Sequence, residues 1–260
     1  MNKSLSLIIL TIAILFLFAT DIHLQANIFS KESPSRLSVG PTFGYNIVGH
    51  KFSIPTYFND ETCSCLFNSA EGSGLNAGIS FGYLLGDVNT TRYSLVFRLS
   101  YNDFSATAKK KEDPYPIIDI NGQTLVSISE STLGIDYKAL SIDVMFQFKP
   151  IKQIGLGLII GPSCDYLIAK NIISDLNLIK PVNAKFSEKS IEHIPGAKLK
   201  NNNSTIEFYN GDIEDASSLR FGLKVGVQYD LIISNSIYIV PYFAYNYGIT
   251  KVTSKYLQFS

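Results

Sequence analysis

The sequence predicts an all-β fold: an antiparallel up-and-down transmembrane β-barrel of about eight strands with long extracellular loops. Three observations carry this expectation. Apolar and polar residues alternate with a period of two over stretches of about 10–15 residues, longer than the usual globular strand. The polar positions hold Gly, Ser, Thr and Asn rather than Lys and Glu. The connections between these stretches are long and short in turn.

The chain opens with Lys3, an apolar run from Leu5 to Phe18 broken by Ser6 and Thr11, and a small residue at Ala26. A positive start, a short apolar run and a small residue at the cut describe a secretory signal peptide. The expected organisation is therefore a leader over 1–26 and one barrel domain over 27–260. An N-terminal anchor is the alternative, but the run falls short of the roughly 20 apolar residues a spanning helix needs. No Cys lies near the cut for a lipid anchor, and no second apolar run reaches spanning length.

The strands follow in order. Leu37, Val39, Phe43, Tyr45 and Ile47 alternate with Ser38, Gly40, Thr42, Gly44 and Asn46. Gly74–Gly86 sets Leu75, Ala77, Ile79, Phe81, Tyr83 and Leu85 against Asn76, Gly78, Ser80 and Gly82. Tyr93, Leu95, Phe97, Leu99 and Tyr101 oppose Ser94, Arg98, Ser100 and Asn102. Leu140–Phe148 has its apolar residues on even positions, whereas Leu133–Tyr137 has them on odd ones; a β-bulge near Ala139 would reconcile the two. Ile154–Ile160, Leu219–Tyr229 and Ile237–Tyr247 complete seven strands, and Val252–Ser260 reads as a short eighth.

Alternation alone does not say which face meets water. Small polar residues suit the crowded interior of a narrow barrel, and a wholly aliphatic and aromatic face suits lipid. A soluble lipocalin-like barrel is the competing architecture. Loop parity separates them. The long segments near 50–73, 106–131 and 170–217 alternate with short turns near 87–92, 149–153 and 234–236. Outer-membrane barrels sort long extracellular loops from short periplasmic turns in this way, and a soluble sandwich has no reason to. Ile117–Ser129 alternates around Asn121-Gly122, a hairpin pair expected to extend the barrel above the membrane.

Composition excludes several functions. Lys+Arg and Asp+Glu are 22 each, so nothing favours nucleic acid, whose phosphates need a basic excess. Charged residues are 17% of the chain, below the ordinary quarter, so the apolar surplus needs a large core or lipid. Three cysteines (Cys63, Cys65, Cys164) do not make a disulfide framework, and no Cys/His pair follows Cys63 and Cys65 at zinc spacing. His50 and His193 stand in no nucleophile motif, and there is no G-x-S-x-G, Walker A or H-E-x-x-H sequence. Asp119 with Glu130, or Asp212 with Asp215, are the available carboxylate pairs, and each reads as solvated loop acid. The expectation is a chain without catalytic residues, cofactor or metal. Some outer-membrane barrels carry loop-borne protease or acyltransferase residues, and nothing here selects that option.

Three stretches carry a resemblance: Leu37-Ser-Val-Gly-Pro, Ile135-Asp-Tyr-Lys-Ala-Leu-Ser-Ile-Asp-Val and Gly161-Pro-Ser-Cys-Asp-Tyr-Leu. They resemble the outer-membrane β-barrel domain proteins of Bacteroidetes, the porin-like group that includes the PorT type. The resemblance covers nearly all of the mature chain and implies a barrel in the bacterial outer membrane. A departure is the end of the chain, where Phe259 is penultimate, whereas such barrels commonly finish on an aromatic residue in a full strand.

The polar face also carries Arg98, Asp143, Asp165, Arg220, Lys224 and Asp230, expected as structural lumen charges. Buried charges must pair. Counted from the short turns, Arg98 and Asp143 stand at one height on adjacent strands, and Arg220 and Asp165 at another. The expected ion pairs are Arg98–Asp143 and Arg220–Asp165, with Lys224 and Asp230 unassigned because barrel shear shifts levels; the alternative places these charges at wet rims. The expected function is a structural or surface-interaction barrel whose partners are the outer-membrane bilayer and unidentified proteins at the extracellular loops. The alternatives are a small-solute pore and an accessory barrel of a secretion or assembly machine.

Overall fold

The computed structural model describes residues 21–26, 36–51, 67, 69–86, 91–118, 123–151, 155–182, 184–213, 216–234 and 237–250. The expected leader core, Cys63 and Cys65, Asp119, Asp215 and the short eighth strand Val252–Ser260 lie outside them.

Among the described residues thirteen strands form: β1 Asp21–Ala26, β2 Leu37–Lys51, β3 Ser69–Leu84, β4 Tyr93–Asp103, β5 Ala106–Lys111, β6 Tyr115–Ile118, β7 Thr124–Phe148, β8 Leu156–Lys180, β9 Lys198–Lys200, β10 Thr205–Asp212, β11 Leu219–Tyr229, β12 Leu231–Ser234 and β13 Ile237–Gly248. Antiparallel pairing runs β1–β2–β3–β4–β7–β8–β11–β13 and returns to β1. Among the described residues the sheet thus closes on itself as a ring of eight strands: the seven expected ones and β1, which lies within the segment expected as leader. Closure satisfies the ladder bonds that an open edge would leave exposed in lipid.

The faces follow from the alternation. Phe43, Ile79, Phe97, Val144, Ile160 and Val225 all point outward and are exposed. Ser80, Ser100, Asn102, Ser141 and Ser163 point inward and are buried. Outward tyrosines and phenylalanines bracket this band. Tyr93 stacks on Phe146 and Phe148 at the short-turn end, with centroids 5.6 and 5.3 Å apart. Tyr101, Tyr45 and Tyr166 face outward toward the long-loop end. Tyr93 to Tyr101 spans eight residues, roughly 20 Å of height at a barrel's tilt, close to the apolar band of an outer-membrane barrel.

The wall continues far beyond this band. β7 and β8 each run 25 residues, roughly 60 Å when tilted. Above the band β5 and β6 pair with β7, and β10 pairs with β8 and carries β9 on its other edge. β6 pairs with β7, from Tyr115 opposite Ser127 to Ile118 opposite Thr124, on either side of the expected Asn121-Gly122 turn, which lies outside the described residues. Much of the two long segments near 106–131 and 170–217 is therefore ordered strand rather than loop.

The expected β-bulge near Ala139 is present, with its extra residue on β8, but it does not cause the parity change. Burial alternates along β7 without interruption from Leu133 to Gln147. Its apolar residues change faces: Leu133, Ile135 and Tyr137 pack inside, while Leu140, Ile142 and Val144 face out. The extra residue sits one strand over. Lys138 pairs with Ala169 and Ala139 with Leu167, which leaves Ile168 of β8 unpaired.

Inward glycines let the wall coil tightly. A Cβ on Gly161 would lie 2.0 Å from the Val144 carbonyl oxygen, and one on Gly226 2.2 Å from that of Phe243. Neither position accommodates a side chain without moving backbone.

Candidate functional site

The interior holds two zones stacked along the axis, one polar and one apolar. The polar zone lies within the lipid-facing band, where small inward residues leave room for a few long charged ones. Asp165 on β8 is 1% exposed and receives Arg220 Nη2 at 2.9 Å and Nε at 3.1 Å. Ser141 Oγ donates to its other oxygen at 2.6 Å. Asn102 Nδ2 donates to Ser141 Oγ at 2.8 Å, and Asn102 Oδ1 accepts from Asn46 at 3.1 Å and from Asn76. This belt crosses β2, β3, β4, β7, β8 and β11, six of the eight ring strands.

The expected Arg220–Asp165 pair is thus present, and the expected Arg98–Asp143 pair is not. The two residues do stand opposite each other on β4 and β7. Asp143, 1% exposed, instead accepts Lys224 Nζ at 2.5 Å. Lys224 lies on β11, two strands away, and its partner on the intervening strand is Gly161. With no side chain there, the lysine stem crosses β8 to the carboxylate. The Arg98 guanidinium, 2% exposed, lies over the Tyr242 ring with its Cζ 3.6 Å from the centroid, and Nη1 is 3.9 Å from Met145 Sδ. A face-on aromatic ring attracts a cation, more strongly where water is excluded. Asp230 pairs with Lys149 at the short-turn end. Lys149 falls in a segment read as a turn from sequence, so it was not among the lumen charges.

The apolar zone lies toward the long-loop end. Phe104, Leu133, Ile135, Tyr137, Leu167 and Ile172 turn inward and form one cluster with Ala139, Ile213 and Ala216. Ile213 and Ala216 come from the segment after β10, folded into the mouth. Ile213 N–H donates to Lys170 O at 2.9 Å, and Lys170 Nζ donates to Ala216 O at 3.0 Å. The two zones meet where Arg220 stacks on Phe104, 4.9 Å from its centroid. The sequence signal for this plug is the odd-numbered apolar run Leu133–Tyr137.

His50 seals the edge of the plug, five residues beyond Tyr45 and outside the lipid band. Its Nε2–H donates to the Phe104 carbonyl at 2.7 Å, and its ring meets Tyr137 edge-on at 5.1 Å. Burial lowers its pKa from the ordinary 6.5; the Phe104 hydrogen bond opposes this and the Arg220 charge adds to it. A histidine depressed in the fold gives up stability as pH falls, because the unfolded chain takes up the proton first. We expect unfolding free energy to fall as pH is lowered from neutral through about 6.5, by at most about 1.4 kcal/mol per pH unit for one group. His50→Gln should remove that slope in urea titrations across pH; an unchanged slope would assign it elsewhere.

Among the described residues no group of three or more His, Cys, Asp or Glu is placed to hold a metal, and Cys164 is a free thiol. What the arrangement provides is fixed charge neutralisation inside a wall and an apolar cluster above it. The family model described as "Outer membrane protein beta-barrel domain" matches residues 25–254. No curated protein and no solved structure matches the chain.

Proposed function

Because the chain belongs to the outer membrane protein β-barrel domain family, we propose that it is a non-enzymatic, non-conducting barrel of the bacterial outer membrane, exported by a cleaved leader, that acts through the ordered wall and loops above the membrane. Family membership carries the location and the association with the outer-membrane bilayer. One observation supports the rest: ion-paired side chains are buried inside the wall below, and an apolar cluster is buried inside it above. An eight-stranded barrel has an interior just wide enough to be filled by its side chains. The material available to partners is then the extension built on β7, β8, β10 and β9 with the segment near 184–197.

Two measurements test this reading. Trypsin added to intact cells should cut after Lys185 and Lys189, which are exposed in that segment, and spare the lipid-facing strands; a fully resistant chain would place the segment inside. Purified protein in planar bilayers should show no steady current. Stable openings of nanosiemens size would favour the pore reading over the interaction reading.

A further inference from the structure

The polar zone carries an excess cation. Apart from the Lys149–Asp230 pair at the short-turn end, its described charges are Arg98, Lys224 and Arg220 against Asp143 and Asp165. Lys224 holds the first carboxylate and Arg220 the second. Among the described residues that leaves Arg98 without a carboxylate. An arginine does not escape burial by losing its charge. The Tyr242 ring and Met145 Sδ meet two sides of the guanidinium, but neither group carries a charge, and a buried charge without a counter-charge is strongly unfavourable.

Two further donors sit beside it. Ser80 of β3 is the rung partner of Arg98, and Thr42 of β2 pairs with Gly78, two residues along from Ser80. All three side chains point inward, with Thr42 1%, Ser80 0% and Arg98 2% exposed. Thr42 Oγ1, Ser80 Oγ and Arg98 Nε have no hydrogen-bond partner among the described residues. On the facing strand the partners of Ser80 and Thr42 are Gly40 and Gly78, which bring no polar side chain to either hydroxyl. Asp143 Oδ1 is an acceptor in the same condition, but it lies on β7, across Arg98 from Ser80. The β2–β3–β4 side therefore presents donors, one of them charged.

We propose that Thr42, Ser80 and Arg98 form a binding site for one small monovalent anion of the halide class. One negative charge brings the described charges of the zone to three against three. Three donors, one from each of three adjacent strands, suit a spherical ion. A carboxylate or phosphate brings two or more oxygens that each need donors, and an eight-stranded interior is only just wide enough for its own side chains. Because the donors come from three strands, the site exists in the folded wall and not in the unfolded chain. It lies inside the wall and is the same whether lipid or detergent covers the outer face, so it stands independently of the outer-membrane reading.

A ligand that binds the folded state alone raises the folded-to-unfolded ratio with its concentration. The full chain is refolded in neutral detergent and titrated with urea while sodium chloride replaces sodium gluconate, whose anion is too large for the site, at constant ionic strength. At fixed urea the wild-type ratio should rise, reaching about tenfold for each tenfold in chloride once the site is saturated. Arg98→Met should flatten that rise, and so should Ser80→Ala combined with Thr42→Val. Lys109→Met, which removes an exposed charge, should keep it. Crystals grown in sodium bromide should show an anomalous peak within hydrogen-bonding reach of Arg98 Nε and Ser80 Oγ. The hydroxyl variant removes no charge, so the test stands even if Arg98→Met does not refold. A wild-type ratio that ignores chloride, a chloride dependence that the hydroxyl variant keeps in full, or bromide crystals without that peak would overturn the proposal.

Discussion

Asp165→Ala lowers the unfolding free energy by about 3–5 kcal/mol, the cost of stranding a buried partner charge. Arg220 then lies beneath the plug without its carboxylate, and Ser141 loses its acceptor, which loosens the belt through Asn102 to β2 and β3. Two controls separate the pair from simple loss of volume. Asp165→Asn keeps the shape and one acceptor but not the charge, and should fall between wild type and alanine. The exchange Asp165→Arg with Arg220→Asp should recover part of the loss, because the attraction survives reversal even where the packing does not. Urea unfolding of protein refolded in detergent measures all four. A loss below about 0.5 kcal/mol, ordinary for an exposed surface position, would place the pair in water.

Val144→Arg costs about 2–4 kcal/mol in bilayers, the price of a charge near the membrane midplane. Val144 faces outward opposite Phe97, midway between Tyr93 and Tyr101. The comparison is Val126→Arg, more exposed than Val144 but placed on the extension beside Pro116. That substitution should stay within about 0.5 kcal/mol. Equal, small effects at both sites would mean that water covers both, which only a soluble barrel allows.

How far these features were legible depended on what alternation can encode. A period of two with small residues on one face is enough to set the strands and the lipid-facing side, because lipid and a narrow lumen demand opposite chemistries. Arg220–Asp165 was legible because the two residues share a rung on adjacent strands, where height alone decides contact. Lys224–Asp143 was not, because it spans two strands and depends on the missing side chain at Gly161. Arg98 and Asp143 share a rung as counted, yet the lysine takes the carboxylate and the guanidinium takes the Tyr242 face. The plug stayed hidden for a different reason. Leu133, Ile135 and Tyr137 have the same period as a lipid-facing strand, and parity does not reveal that the apolar side has moved from the outer wall to the inner one. The face change then looked like a bulge in β7, when the extra residue is Ile168 of β8. Asp21–Ala26 alternates like a strand, but it lies within a segment whose apolar approach reads as leader.

The central claim is that the apolar face meets lipid and the polar face lines a filled interior. The chain contains no Trp, so a single introduced indole reports its own surroundings without background. Ile142→Trp, on the outward face of β7, and Val126→Trp, on the extension, are each reconstituted in vesicles of unlabelled or mid-chain brominated lipid, with iodide as the aqueous quencher. The account predicts that the indole at 142 is quenched by brominated lipid and ignores iodide, while the indole at 126 does the reverse. Quenching at 142 by iodide with no response to brominated lipid would contradict it.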